Sequence, residues 1–198
     1  MDRRQGCDPN PLASASTRAN HTAGGQCSQD PPTRKRPHDS TADGDPQASL
    51  RELARRFFED VLNGADPAAV EEIVAERYHE HALAPFGDSE PGVVAGPVHV
   101  TEVARSLREQ FTDLHITVEH LIADHDHVAA LVSSRGTNDG ALNGLIPPTG
   151  RPFSSRQSHW FRVEHGKLCE HWATRDDLTT MLQLGLIPRP GPPSGPEA

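Results

Sequence analysis

The chain has 198 residues, of which 34% are hydrophobic and 5% aromatic, a thin apolar supply for that length, so part of it is expected to lie outside any core. Its formal charge is -9, and because residues 1–48 hold six acidic and six basic positions, the remainder carries the whole deficit. A body of that sign repels phosphate backbones, which excludes nucleic acid as the expected partner.

No apolar run is long enough to span a bilayer, and the N-terminus lacks the hydrophobic core of a secretory signal. No membrane partner is expected, and a cytoplasmic location is the simplest reading. Cys7, Cys27 and Cys169 show no paired or metal-ligand spacing and read as unpaired thiols of a reducing compartment.

Residues 1–48 are rich in Pro, Ser, Thr, Asp, Gly and Gln and read as a disordered tail, with Arg34-Lys35-Arg36 as a solvated charge run. The folded domain is expected over 49–187, and 188–198 reads as a Pro/Gly-rich tail. Ser49-Leu50-Arg51-Glu52 has the form of a capping box. After it Leu50, Leu53, Ala54, Phe57, Phe58, Val61 and Leu62 recur at helical spacing until Asn63-Gly64. A second, short helix starts with Asp66 as N-cap and Pro67 at its first position, burying Val70, Ile73 and Val74. Tyr78 to Pro97 reads as a loop punctuated by Pro and Gly. A third helix, from about Pro97 to Phe111, carries Val100, Val103, Ala104, Leu107 and Phe111 on one stripe.

From there the period changes to two. Ile116, Val118, His120 and Ile122 alternate, Asp124-His125-Asp126-His127 makes a polar turn, and Val128 to Thr137 returns as the partner strand. Asn138 to Pro152 crosses to a strand over Phe153 to Val163. Glu164-His165-Gly166-Lys167 turns into a last strand, and Asp177 to Leu184 closes the chain as a helix before Gly185. Helices first and a meander afterwards indicate an α+β fold, a curved antiparallel sheet packed on three N-terminal helices with a short C-terminal helix, enclosing a conical pocket.

Alternation in the last strand puts Leu168, Glu170, Trp172, Thr174 and Asp176 on one face. An acid beside Leu and Trp would be desolvated, which raises its pKa towards values useful for proton transfer. If Val163 pairs near Leu168, then Gln157, His159 and Phe161 share the face of Glu170, Trp172 and Asp176. In that register Asp176 is the expected acid/base and His159 a donor to a developing enolate oxygen, with Asp177 as the cap of the final helix. Cys169 falls on the opposite face. His79-x-His81 and the Asp124–His127 turn invite a metal, but no further His or Glu spacing supports one, and none is expected.

The residues also carry a resemblance. The order helix, helix, helix, meander, with Gly144-Leu145-Ile146-Pro147-Pro148-Thr149-Gly150-Arg151 before a strand, resembles the SnoaL-like polyketide cyclases, the ester cyclases of the nuclear transport factor 2-like cone superfamily. Phe161 to Lys167, then Glu170-His171-Trp172 with Asp176 four residues on, and Leu182-Gln183-Leu184-Gly185 extend the likeness over about residues 50–187. It implies closure of a ring in an aromatic polyketide methyl ester by intramolecular aldol condensation, without metal or organic cofactor. It implies Asp176 as acid/base, a histidine and a glutamine of the preceding strand as binders of the polarised carbonyl, with His159 and Gln157 the nearest candidates, and His81 lining the pocket; the shared strand face makes Glu170, Trp172 and Phe161 further expected substrate contacts. A cofactor-free cyclase or isomerase acting on a small hydrophobic carbonyl compound is thus expected, as a homodimer or larger assembly through the open sheet face. The alternatives are a binding protein of the same fold without catalysis, and water activation of the epoxide-hydrolase kind.

Overall fold

The computed structural model describes residues 45–83, 90–189 and 191. The first 44 residues of the expected tail, and most of the C-terminal one, lie outside them. The first helix, α1 (Pro46–Arg56), starts before the Ser49 box: Asp45 caps it by accepting from Gln47 N, with Pro46 at the first helical position. This is the same Asp-Pro start that opens α2 (Pro67–Ile73) behind Asp66. Between them Phe57–Asn63 winds as a π-helix, and the wider turn buries Phe57, Phe58, Val61 and Leu62 together.

Val74, expected in the second helix, instead begins β1 (Val74–Glu80), and the stretch expected as loop from Tyr78 supplies the end of that strand and β2 (Gly92–Ala95). The strand was hidden by its composition, Val-Ala-Glu-Arg-Tyr-His-Glu, in which only Val74 and Tyr78 are buried. Gly96 opens α3 (Gly96–Gln110) where the helix meets β1; a Cβ there would stand 2.1 Å from the Ala75 carbonyl oxygen, so only glycine fits. The meander follows as β3 (His115–Asp124), β4 (His127–Thr137), β5 (Pro152–Glu164) and β6 (Lys167–Arg175), closed by α4 (Asp177–Leu184). His165 and Gly166, both at positive φ, make the two-residue hairpin between β5 and β6.

The six strands lie in the order β2-β1-β6-β5-β4-β3. All pairs are antiparallel except β1 with β6, which run parallel, so the expected antiparallel sheet is mixed. The α+β cone is as expected otherwise. One face of the sheet curls around α1, the π-helix, α2 and α3, and Phe57, Phe58, Val61, Ile73, Val128, Val132, Phe161 and Leu168 form the main core. A second cluster, Phe111, Leu114, Leu142, Phe153 and Leu184, plugs the end nearer α4.

Two β-bulges decide which side chains face that core. In β3 the register with β4 shifts between Val118 and His120. Ile116 and Val118 face inward as the alternation implies; beyond the bulge Leu121 and Ala123 take over, and Ile122 is exposed. In β6, Val163 does pair with Leu168, but the next pair is Arg162 with Glu170, so Cys169 is the extra residue. Leu168 and Cys169 are both buried, and the pleat beyond them is reversed.

Asn63 ties the helical layer to the sheet. Its amide nitrogen donates to the Ile116 carbonyl at 2.7 Å, and its oxygen accepts from Ile116 N at 2.8 Å. Replacing it strands two buried backbone groups, each worth about 1–3 kcal/mol when unsatisfied. Asn63→Ala is therefore expected to lower stability by roughly 2–3 kcal/mol, read from urea unfolding midpoints; an unchanged midpoint would show that water replaces the amide at no cost.

Candidate active site

The reversed pleat of β6 sends His171 and Arg175 inward and Glu170 and Trp172 outward. The residues of β5 that face inward are Gln157, His159 and Phe161, with Phe161 opposite His171 and Gln157 opposite Arg175. From the neighbouring β1, Tyr78 and Glu80 face the same way, and the parallel register sets Glu80 beside His171. α3 contributes His99, Val100, Val103 and Leu107, and the start of α4 contributes Asp177 and Thr180. Between these walls the centres of water-sized molecules have about 110 Å³ to occupy, well beyond the roughly 10–15 Å³ that a single water requires. The walls are largely apolar, with a few polar groups set among them.

Those polar groups form a chain. Both Glu80 oxygens lie within bonding distance of His171 Nδ1, at 2.9 and 3.0 Å. His171 Nε2 meets His159 Nδ1 at 2.9 Å, and His159 Nε2 meets Gln157 Oε1 at 3.0 Å. The two imidazoles are nearly parallel, 12° apart, with Phe161 stacked on His171 at 4.9 Å and Phe58 edge-on to His159 at 5.2 Å. His159 and His171 are only 7% and 8% exposed. Burial alone would raise the Glu80 carboxyl, but hydrogen bonds from His171 and His99 outweigh it and bring the pKa down to about 2. Burial, reinforced by the charge of His171 and Arg175, pushes His159 well below the ordinary imidazole value. His159 is thus neutral at pH 7 and the carboxylate is ionised.

Tyr78 stands beside this chain. It is completely buried, it lines the cavity, and its hydroxyl finds no hydrogen-bond partner among the described residues. Burial first, then the nearby Glu80 charge, raises its pKa well above the usual phenol value, so it remains a donor. A buried O–H without a partner, on a residue that borders an apolar cavity, is a candidate donor to a ligand oxygen.

The expected site residues divide accordingly. Gln157 and His159 line the cavity; Phe161 packs behind them as wall. Asp176 does not line it. Its carboxylate is at the surface, caps α4 by accepting from Thr179 N at 3.0 Å, and is held below the ordinary range by the Thr179 hydrogen bonds. The cap expected of Asp177 therefore falls to Asp176, and Asp177 lines the cavity instead. His81, Glu170 and Trp172 gather on the outer face, where His81 stacks on the Trp172 indole at 4.3 Å and its Nε2 lies 2.8 Å from Glu170 Oε2. The bulge at Cys169 is the reason for the exchange of Glu170 and Trp172. Tyr78 and Glu80 were missed because their stretch read as loop, His171 because unbroken alternation puts it opposite Glu170 and Trp172, and His99 because the third helix was read only for its apolar stripe.

A curved sheet closed by helices, with a buried carboxylate–imidazole–imidazole chain in an apolar cavity, defines a cone of the nuclear transport factor 2-like type. The SnoaL-like polyketide cyclase family model matches residues 52–184, and the chain belongs to that family. The nogalonic acid methyl ester cyclase of Streptomyces nogalater is 32% identical over 113 residues, covering 57% of this chain and 83% of that enzyme. TsrD from Streptomyces laurentii has the same fold with a TM-score of 0.62 at 26% identity, covering 71% of this chain and 98% of its own. IdmH from Streptomyces antibioticus gives 0.58 at 29%, covering 68% and 96%. Among the described residues no helix is long and apolar enough to cross a membrane.

The depressed Glu80 has a consequence for stability. Its folded pKa of about 2 lies under the ordinary 4.5, so its contribution is complete above 4.5 and is lost as pH falls towards 2. At about 1.4 kcal/mol per pKa unit the loss is on the order of 3 kcal/mol. His159 acts with the same sign from higher pH, since the unfolded chain takes up its proton below about 6.5. Across pH 4.5 to 2 the wild type is expected to lose stability more steeply than Glu80→Gln in urea titrations; parallel curves would remove the Glu80 carboxylate from the account.

Proposed function

We propose that this chain is a cofactor-free ester cyclase, closing a ring in a polyketide-type carbonyl compound by intramolecular aldol chemistry. The observation that carries the proposal is the hydrogen-bonded run Glu80–His171–His159–Gln157 set into an apolar cavity. Membership of the SnoaL-like family and the likeness to a methyl ester cyclase agree with it.

In the proposed reaction His159 Nε2 takes a proton from a carbon flanked by two carbonyl groups, and Gln157 Oε1, 3.0 Å away, accepts a hydrogen bond from the Nε2–H so formed. A neutral imidazole this deeply buried is a weak base by itself. The proton is therefore relayed: the Nδ1 proton of His159 passes to His171 Nε2, and the cation settles on His171 against the Glu80 carboxylate. The Tyr78 hydroxyl donates to the enolate oxygen as charge develops there. The enolate carbon then bonds to the second carbonyl carbon, and the new alkoxide recovers the proton from His159 as the relay runs backwards. Nothing is consumed, so one proton carrier serves as base and then as acid.

Positioned acid–base groups contribute about 10²- to 10⁴-fold to rate. With nogalonic acid methyl ester as the first probe, His159→Gln is expected to reduce kcat within that range and to abolish deuterium exchange at the acidic carbon. Asp176→Asn keeps the shape of the α4 cap and is expected to stay within a few-fold of wild type. The reverse pattern would assign the acid–base role to the strand-end carboxylate implied by the resemblance. Binding without exchange in any of these proteins would instead indicate a carrier.

A further inference from the structure

We propose that His79, His81 and Glu170 form a transition-metal site of the zinc class on the outer face of the sheet, on the side away from the cavity. The sequence supplies His79-x-His81, two imidazoles on one face of an extended segment, but no third ligand nearby. The parallel pairing of β1 and β6 supplies it, setting Glu170 directly opposite His79 although 91 positions separate them in sequence. One ligand atom from each residue lies within 4.8 Å of the other two, and all three side chains are half-buried. Tetrahedral zinc with ligands at about 2.0–2.2 Å needs its donors roughly 3.3–3.5 Å apart. The His81 Nε2 to Glu170 Oε2 separation is 2.8 Å, so the three donors reach that spacing through small side-chain adjustments around an ion.

The surroundings orient these donors. Arg162 Nε holds the other Glu170 oxygen, Oε1, at 2.6 Å, which fixes the carboxylate plane and leaves Oε2 turned to the histidines. Trp172 lies flat against His81, 5° from parallel, and the His79 and His81 rings are 3.8 Å apart. A proton now bridges His81 and Glu170; a metal ion would replace it, with His79 as third ligand and water as the fourth. Two neutral imidazoles and one carboxylate suit Zn²⁺ and the later first-row ions over Mg²⁺ or Ca²⁺. Bound there, the ion clips β1 to β6 one residue away from the Glu80–His171 pair, so it acts on the frame of the cavity without touching its contents.

The test uses the full chain after chelator treatment, titrated with Zn²⁺ by calorimetry and with Cu²⁺ by quenching of tryptophan fluorescence. One equivalent of zinc per chain is expected, with a rise in Tm on loading. His79→Ala and Glu170→Gln should each weaken binding at least 10-fold and abolish the Tm rise. His125→Ala, in the other histidine-bearing turn, should change neither. If His79→Ala does not fold, His79→Gln serves in its place, since it keeps the size and polarity of the side chain. Absence of binding, equal affinities in all variants, or loss only in His125→Ala would overturn the proposal; the last would place an adventitious ion in the β3–β4 turn.

Discussion

A carboxylate removed from water needs a partner within hydrogen-bonding reach, and Glu80 finds His171 only because β1 and β6 run side by side in the same direction. Much of the molecule's organisation follows from that one parallel pair. It draws the strand after α2 across to the end of the meander, closes the cone on one side, and places the acid at the foot of a stack of two imidazoles. Between β2 and β5 both strands of the pair are interior to the sheet, so neither can slide without breaking two ladders. The pair also joins local to distant sequence, because its partners belong to opposite ends of the domain.

The second constraint is the bulge at Cys169. A strand has period two, and one inserted residue exchanges its faces. Without it, Glu170 and Trp172 would face the cavity and His171 would be outside, unable to reach Glu80 or His159. With it, the imidazole chain is completed inside and a separate cluster of histidine, glutamate and indole is assembled outside. Cys169 itself is buried, and its Sγ lies 3.4 Å from the Arg162 carbonyl oxygen, where the irregular ladder leaves it. Burial raises its pKa, so it is a poor nucleophile and its place is structural.

The cavity combines two environments. Helical side chains such as Val100, Val103 and Leu107 make its walls apolar, and the strands contribute the polar run. The Glu80 carboxylate survives there because it is bonded: it accepts from His171 and from Ala82 N, and His171 is flanked by Phe161 and His159. In a low-dielectric surrounding such a run holds its geometry closely, since each unmet bond is costly. Tyr78 is the exception, with a buried hydroxyl that has no partner among the described residues.

The helices, the meander and the hairpin at His165-Gly166 were legible in the residues alone, because capping, turn chemistry and side-chain period act over a few residues. Even the overlooked start of α1 was local: Asp45-Pro46 repeats the Asp66-Pro67 signature. Pairing across the sheet makes the charged stretch Val74–Glu80 a strand, leaves Asp176 as a surface cap while Asp177 faces inward, and turns Glu170 and Trp172 to the outer face. Those outcomes depend on pairing between residues about ninety positions apart and on a bulge that no pattern of hydrophobicity marks. A strand's partner and its register are set by the competition among all the other strands, and that competition is settled only when the whole sheet forms.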